Sequence, residues 1–209
     1  MAETTNNANL EKLKDGFGIV TVMNARIYTL TGEGASYLGD TPLLPSNFQE
    51  VAFIDTLKIA NITAEGPTKT ITGGQYSNPL IKYGKTMTIE MQDALGRVET
   101  LEHFFGCAVD KATGTISVGD KFPGALAIQG ETFFIDQSSG DQVPVYIFIP
   151  QMLPDGLFNL TQDAEGDATV FDLNGSLSVT KIAEDSTDTT GSKVFYQIRM
   201  TPFVPLTKT

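Results

Sequence analysis

The sequence predicts a mainly β fold, a β-sandwich or barrel with one helix at its side, and three observations support this. Twenty Gly and ten Pro divide the 209 residues into short segments, and both residue types mark turns and bulges. Several segments alternate apolar and polar residues with the period of two that is typical of strands. Only one segment has a helical period. We expect a single domain over residues 1–209.

The clearest strands have one apolar and one polar face. From Ile81 to Met91 the odd positions are apolar apart from Lys85, and the even positions are polar. The same alternation runs from Phe171 to Thr180 and from Val194 to Thr201, and it predicts half-buried strands. The segment from Val143 to Ile149 is apolar on both faces, which indicates a central strand. Further strand candidates are residues 17–31 and 53–63, each with a bulge, and the shorter segments 115–118, 125–129 and 132–136.

One helix is predicted, over about residues 93–105. Apolar residues recur there at steps of three and four, which is the period of a helix with one buried face. Asp93 is the expected N-cap and Gly106 the residue that ends the helix. We expect this helix to pack across a sheet and close its core. The recurring apolar residues are Ala94, Leu95, Val98, Leu101 and Phe105.

Three segments are predicted to lie outside the regular strands. Residues 1–15 are polar and are expected to form a flexible N-terminal arm. Residues 31–50 contain three Gly and two Pro without a sustained period, and a loop of this length usually contacts a partner. Residues 183–193 connect two strands and are expected to form an exposed hairpin tip.

Charge and composition exclude several classes of function. Lys and Arg number 14 against 25 Asp and Glu, so the net charge is −11. A protein that grips a nucleic-acid backbone needs the opposite sign. One Cys and one His exclude an internal disulfide and a zinc site built mainly of thiolates, and they leave few ways to build a catalytic triad. No segment approaches the roughly 18 apolar residues that cross a bilayer. The N-terminus has no apolar export signal, so we expect synthesis and use in the cytosol or in a structure assembled there.

Two residue clusters have the residue types of a catalytic pair or of a metal site, but their positions in the sequence argue against both roles. His103 and Cys107 lie four residues apart, but Cys107 follows the predicted helix, where the helix dipole opposes thiolate formation. Asp163, Glu165 and Asp167 have the spacing of the first ligands of a calcium loop, but the Gly and Glu that such a loop needs later are absent. The sequence therefore predicts no catalytic, cofactor-binding or metal-binding residue, and the protein is not expected to be an enzyme.

The polar faces of the strands are rich in Thr, Ser, Asn and short acids. Strands of this kind leave edges that recruit other chains unless something covers them. Each edge could be covered within the subunit, which leaves a plain solvent-facing sheet. Alternatively, edges could join between subunits until the sheet closes into a ring lined by the polar faces. Periodicity alone favours the first arrangement.

The segment from Ile62 to Gly106 resembles the tail tube (major tail) proteins of tailed bacteriophages. The resemblance lies in a long strand pair that ends in GKTMTIEMQDALGR and runs into one helix. A later strand of the type DATVFDLNGSLSV, from Asp167 to Val179, adds to it. Recognisable motifs cover about a third of the chain, and the remainder agrees in the order of its elements.

The resemblance implies a β-sandwich with one flanking helix, in which six subunits join their inner sheets into a continuous barrel. Such rings stack into a tube that conducts the genome out of the capsid, so DNA would pass without specific binding. The partners would be other copies of the chain and the tape-measure, baseplate and tail-terminator proteins. The protein would be assembled in the host cytoplasm and reside in the tail of the virion, with no membrane contact and no cofactor.

Two sets of residues follow from this resemblance. The N-terminal arm and the loop of residues 31–50 would contact the next ring. The bore-facing residues would be Lys82, Thr86, Thr88, Glu90, Asp172, Asn174, Ser176 and Ser178. The loop residues at the ring-to-ring contact would be Gly34, Tyr37, Leu38, Leu43, Leu44 and Phe48.

One departure concerns charge, because Lys58, Lys69, Lys82 and Lys85 lie in or near the proposed inner strands. The bore is therefore expected to be mixed rather than uniformly acidic. The alternative to a tube subunit is a baseplate or adhesion β-sandwich that binds a cell-surface carbohydrate or protein. An unrecognised hydrolase that uses Cys107 and His103 is the third hypothesis.

Overall fold

The structure is a computed structural model of the 209-residue chain. It describes residues 17–19, 24–66, 68–70, 80–82, 84–94, 96–136, 139–156 and 171–206. The predicted N-terminal arm and the acidic segment around Asp163 lie outside the described residues.

The fold is mainly β with one α-helix, as the sequence predicts. The helix, α1, spans Val98–Phe105. The strands are β1 (Phe17–Ile19), β2 (Asn24–Leu30), β3 (Phe48–Ile54), β4 (Leu57–Glu65), β5 (Thr68–Thr70), β6 (Leu80–Lys82), β7 (Thr86–Asp93), β8 (Ala108–Asp110), β9 (Thr115–Ser117), β10 (Leu126–Asp136), β11 (Gln142–Pro154), β12 (Phe171–Asp172), β13 (Gly175–Leu177), β14 (Thr180–Ile182), β15 (Ser192–Val194) and β16 (Gln197–Arg199).

Ten of these strands form one curled antiparallel sheet. From one margin to the other its order is β4, β7, β13, β11, β10, β2 and β3. Strand β12 pairs with β7 on the same side as β13, β1 pairs with β10, and β16 pairs with β11. Strands β3 and β4 therefore lie at opposite margins of the sheet, although only Asp55 and Thr56 separate them in the chain. The sheet must curl strongly for so short a link to join its two margins. The remaining strands form three two-stranded ribbons, β5–β6, β8–β9 and β14–β15.

Several predicted strands have different bounds in the structure. The alternation from Ile81 to Met91 is divided between β6 and β7, because Gly84 between them adopts a left-handed φ of 64°. The segment 53–63 belongs to two strands, β3 and β4, and a register shift between Leu57 and Ile59 supplies the predicted bulge in β4. Segments 125–129 and 132–136 are parts of one long strand, β10. The hairpin tip predicted for residues 183–193 is present as residues 183–191, which connect β14 to β15, while residues 192 and 193 belong to β15.

The helix begins five residues later than the sequence predicts. Asp93 is not its N-cap; it is the last residue of β7, is buried, and accepts a hydrogen bond from the Thr56 hydroxyl. Pairing of Asp93 with both β4 and β12 keeps it in the sheet. Arg97, in extended conformation, precedes the helix, and Gly106 ends it with a left-handed φ of 66°, as predicted. The buried helix residues are Thr100, Phe104 and Phe105, whereas Val98, predicted to be buried, is 37% exposed.

The concave face of the curled sheet encloses the main core. Met87, Ile89 and Met91 of β7 face residues from the other half of the sheet across this core, and Phe104 and Phe105 of α1 fill the remaining space. These three β7 residues are the apolar set that alternation predicts for this strand. The other core members on the sheet are Ala25, Ile27, Ala52, Ile54, Leu126, Ile128, Ile149, Met152, Leu173 and Leu177.

A second core lies on the convex face, over β2, β3, β10 and the first part of β11. Its aromatic centre is Phe148, which stacks on Phe203 with ring centroids 4.4 Å apart and meets Phe48 edge-on at 5.4 Å. An outer layer covers this core, and we define it as residues 31–47, strands β14 and β15, and residues 200–206. The convex face thus has a covered half, while β4, β7, β12, β13 and the end of β11 form a bare half.

Polar side chains attach the outer layer to the sheet. The buried Gln129 amide accepts a hydrogen bond from the Val204 N–H at 3.0 Å and donates one to the Val204 carbonyl at 3.2 Å. The Thr180 hydroxyl donates to the buried Gln151 at 2.8 Å. The Gln129 amide pairs with both backbone groups of Val204 as a neighbouring strand would, and Gln151 binds a side chain of β14. Both buried glutamines therefore attach the outer layer to the sheet through satisfied hydrogen bonds.

Candidate functional site

The bare half of the convex face is a polar surface built by three neighbouring strands. On β7 the residues Thr86, Thr88 and Glu90 are exposed, because they alternate with the buried methionines and isoleucine of the core. The antiparallel register places Thr63 of β4 opposite Thr88, and Ser176 of β13 opposite the same threonine on the other side. A row of hydroxyl groups therefore crosses the sheet.

This row continues to the end of β11, where Leu153 lies opposite Ser176 and is 44% exposed. The rows on either side of it carry the acidic groups. Glu90 lies opposite Asn61 in one row, and Glu65 lies opposite Thr86 in the other. Charged groups thus flank an uncharged central row.

The charge of the described bare half is acidic or neutral. Neither Lys nor Arg occurs among the described side chains of its strands, although Lys85, which directly precedes β7, is exposed. Lys58 belongs to β4 and Lys82 to β6, and the side chains of both lie outside the described part of the chain. The exposed or half-exposed members are Asn61, Thr63, Glu65, Thr86, Thr88, Glu90, Gln92, Leu153, Asp172, Asn174 and Ser176.

The structure brings most of the sequence-predicted bore residues together on this surface. Asp172 lies beside Gln92, whose amide donates to its carboxylate at 2.9 Å. The register between β7 and the 171–177 segment is the same before and after the break at residues 173–174, so the predicted alternation holds through Leu177. Asn174 and Ser178 are half-buried rather than exposed. Lys82 lies outside this set, because β6 pairs with β5 and not with the main sheet.

Sequence reasoning missed the contribution of β4. Asn61, Thr63 and Glu65 extend the polar surface by one strand, and they were not among the predicted bore residues. The signal was present, since polar residues alternate at these three positions. The bulge at the start of β4 shifts the alternation by one residue and obscures it.

Strand β4 also offers an open edge. From Ile59 to Glu65 it pairs with β7 in an uninterrupted register, and among the described strands it has no neighbour on its other side. Alternate backbone N–H and C=O groups of an edge strand point away from the sheet, and such a strand is a template for pairing with another chain.

The loop of residues 31–50 is divided between an anchored part and an exposed tip. Leu43 is buried beside β14, where its N–H donates to the Lys181 carbonyl and its own carbonyl accepts from the Ala183 N–H. Phe48 is the first residue of β3 and belongs to the second core. Both side chains are buried within the subunit, so they are not free to make the intersubunit contact predicted for them. Leu44 and Tyr37 are half-buried, while Gly34 and Leu38 are exposed, Leu38 by 96%.

The candidate catalytic pair lacks the setting of a nucleophile. Cys107 is buried, and burial raises the pKa of its thiol, which disfavours the thiolate. In the part of the chain that the structure describes, no three His, Cys, Asp or Glu residues gather as a metal site would require. Helix α1 is too short to cross a membrane, and no other described helix is long and apolar enough to do so.

The comparison with known proteins bears on only part of the bare polar face, because β4 and β7 lie outside the matched segment. Residues 106–195 match the YomU/Tube protein family. This is a tube-like family of phage origin. The matched segment runs from the end of α1 to β15 and includes the predicted bore residues Asp172, Asn174, Ser176 and Ser178. No curated protein matches the chain.

The family match and the sequence resemblance cover different parts of the chain. The resemblance to tail tube proteins lies mainly in residues 62–106, before the matched segment, and it continues in residues 167–179, inside it. The two findings agree on a phage structural protein with a β-rich fold.

Proposed function

We propose that this chain is the structural subunit of a bacteriophage tail tube, assembled as stacked hexameric rings whose bore conducts the viral genome. The observation that carries the proposal is the combination of a bare polar face with an open edge on β4. The family match over residues 106–195 and the resemblance over residues 62–106 support the same assignment.

The ring follows from the need to satisfy the β4 edge. A neighbouring subunit that pairs with the outer edge of β4 continues the sheet and leaves the polar face on one side of the joint. A contact between two different surfaces of identical subunits is heterologous, and it closes into a ring when the rotation per subunit allows. Obligate contacts of this kind bury roughly 2,000 Å² or more.

The bare half has the chemistry of a surface over which DNA slides. Gripping a duplex requires Lys and Arg to replace its counterions. The described side chains of the strands of this face include neither, and one exposed lysine, Lys85, precedes β7. Glu65, Glu90 and Asp172 repel phosphate, while Thr63, Thr88 and Ser176 offer only neutral hydroxyls. DNA would therefore pass without being held, and the protein has no catalytic role in this proposal.

The remaining roles follow from the position of a tube subunit in a tail. The partners are other copies of the chain, together with the tape-measure, baseplate and tail-terminator proteins. The exposed loop tip around Gly34 and Leu38 contacts the next ring, and the protein resides in the virion after assembly in the host cytoplasm. We expect the purified protein to form rings in the absence of these partners.

Electron microscopy and light scattering of purified protein at increasing concentration and salt test the assembly. The subunits carry a net charge of −11, and salt shortens their repulsion to about 8 Å at physiological strength. Rings or tubes are therefore expected to form faster as salt is added. A monomer that persists at every concentration and salt level contradicts the tube and favours the baseplate or adhesion module.

Proline substitutions at two adjacent residues test the β4 edge. Thr63 and Ala64 are both exposed, and the N–H groups of neighbouring strand residues point to opposite sides. One of Thr63→Pro and Ala64→Pro thus removes a hydrogen bond to β7, and the other removes only an outward donor. We expect one variant to lose stability and the other to remain folded but fail to assemble. Wild-type assembly by the folded variant contradicts pairing at this edge.

A second pair of variants tests the polar face. Thr88→Arg introduces a positive charge on an exposed position and is expected to leave the subunit folded while impairing genome passage or ring assembly. Ile89→Arg, one residue further, buries an unpaired charge in the main core and is expected to unfold the subunit. Circular dichroism separates the two, and equal loss of folding in both means that the faces of β7 are assigned wrongly.

A further inference from the structure

The second margin of the sheet, β3, differs from β4 in the way its edge is treated. Arg97, just before α1, donates a hydrogen bond to the Phe53 carbonyl at 2.9 Å. The same guanidinium forms an ion pair with Asp55, the residue that follows β3. A carbonyl oxygen so occupied is less available to an incoming strand.

Two more features disturb the β3 edge. Val51 has no partner in the register between β3 and β2, so β3 has a bulge in its middle. A groove of about 380 Å³ runs between β3 and α1, and the side chains along it include Glu50, Arg97 and Glu99. Bulges and charged side chains are the devices by which natural sheets prevent edge-to-edge association. Strand β4 has no bulge after Ile59, and its charged side chain beyond that residue is Glu65 at the end of the strand.

We infer that Arg97 guards the β3 edge against the addition of a strand from another copy of this chain. An incoming strand would have to displace the guanidinium from Phe53 and from Asp55 before it could pair. The guard makes the two margins unequal, so that association through β3 is suppressed while β4 stays open. The surface that meets β4 in the proposed ring is therefore a part of the neighbouring subunit other than its β3 edge. The inference concerns unwanted association and does not depend on the tube.

The test is Arg97→Ala in the full chain, followed by light scattering and by a dye that reports cross-β structure. Removing one positive charge makes the protein more negative and by itself slows self-association. Freeing one edge acceptor is nevertheless expected to raise the association constant about fivefold, the equivalent of one backbone hydrogen bond. The product is expected to be irregular aggregate rather than rings.

Arg199→Ala is the matched control. Arg199 also pairs with a carboxylate, that of Glu184, and its loss changes the net charge by the same amount, but it lies away from the β3 margin. We expect no increase in association for this variant. Equal aggregation of both variants means that destabilisation, not an opened edge, is the cause.

A double variant keeps the inference falsifiable if Arg97→Ala lowers stability. Gln49 is exposed on β3, and a lysine on an edge strand opposes pairing. Gln49→Lys in the Arg97→Ala background is expected to return association to the wild-type level without restoring the melting temperature. If association stays high, or if it follows the melting temperature through the series, Arg97 is a structural residue only and the inference is overturned.

Discussion

The covered and bare halves of the convex face are parts of one sheet with opposite surfaces. In the covered half, Tyr28, Phe48 and Phe148 point away from the main core and are buried by the outer layer. In the bare half, the equivalent positions are Thr88 and Ser176, and they are exposed. The strand geometry is the same in both, so side-chain chemistry decides which half is covered.

The boundary between the halves lies within one strand. Phe148 of β11 is fully buried in the second core, whereas Leu153, five residues later, is 44% exposed beside Ser176. A single strand therefore contributes to the second core with one part and to the exposed bare half with its end. The outer layer stops where the aromatic residues stop.

The largest difference between the halves is expected from truncating one residue of β11 on each side of this boundary. Phe148→Ala removes the ring that stacks on Phe203 and meets Phe48, and loss of a buried aromatic costs about 3–5 kcal/mol. Leu153→Ala is expected to cost less than about 1 kcal/mol, since much of its side chain is already in water. Denaturant unfolding of both variants measures the difference. Similar losses would mean that the outer layer does not pack as tightly as the ring geometry indicates.

A smaller effect is expected when the attachment of the C-terminal segment is removed. Gln129→Ala leaves the Val204 N–H and carbonyl without their buried partners, at a cost of about 1–3 kcal/mol. Hydrogen exchange at residues 201–206 is expected to accelerate more than exchange in β7. Gln142→Ala, at an exposed position of β11, serves as the control and is expected to change neither. Unchanged exchange near Val204 would contradict the attachment.

The smallest effect is expected at the exposed tip of the β14–β15 hairpin, which belongs to the outer layer. The Thr187 hydroxyl and N–H donate to the Asp185 carboxylate and hold its pKa below the usual value. Because the folded-state pKa is lowered, this stabilisation is present above the ordinary Asp pKa and is lost as the pH falls through the lowered one. NMR titration of Asp185 in wild type and Thr187→Val measures the effect, and the midpoint is expected to rise in the variant. An unchanged midpoint would contradict the role of the hydroxyl.

The sequence predicts the faces of β7 well, because alternation depends only on local geometry. It does less well for residues 194–201, which are divided between β15 and β16 and leave Ile198 48% exposed. The buried set Met87, Ile89 and Met91 and the exposed set Thr86, Thr88 and Glu90 follow directly from the alternation in β7. The left-handed glycine at the end of the helix also follows from local conformation. These features need no knowledge of the rest of the chain.

The features that failed to follow from the sequence depend on distant partners. The sequence predicts a loop position for Leu43, but in the structure Leu43 forms a bridge with β14. The sequence predicts a helix cap at Asp93, but pairing with β4 and β12 keeps Asp93 in the sheet. Val179 fits the alternation of its strand but is exposed, because the strand ends at Leu177. The existence of a second core could not be predicted, since nothing local shows which polar or apolar face another segment covers.

The order of the strands also bears on how the protein is made. Strand β2 pairs with the much later strand β10, for example through Tyr28 and Ala127. Strand β4 pairs with β7, and the other neighbours of β7 come from residues 171–177. Contacts so distant in sequence make folding slow, on the order of milliseconds to seconds. During synthesis, the first strands therefore leave the ribosome before all of their partners exist, and the nascent chain exposes unpaired strand edges until its last third has emerged.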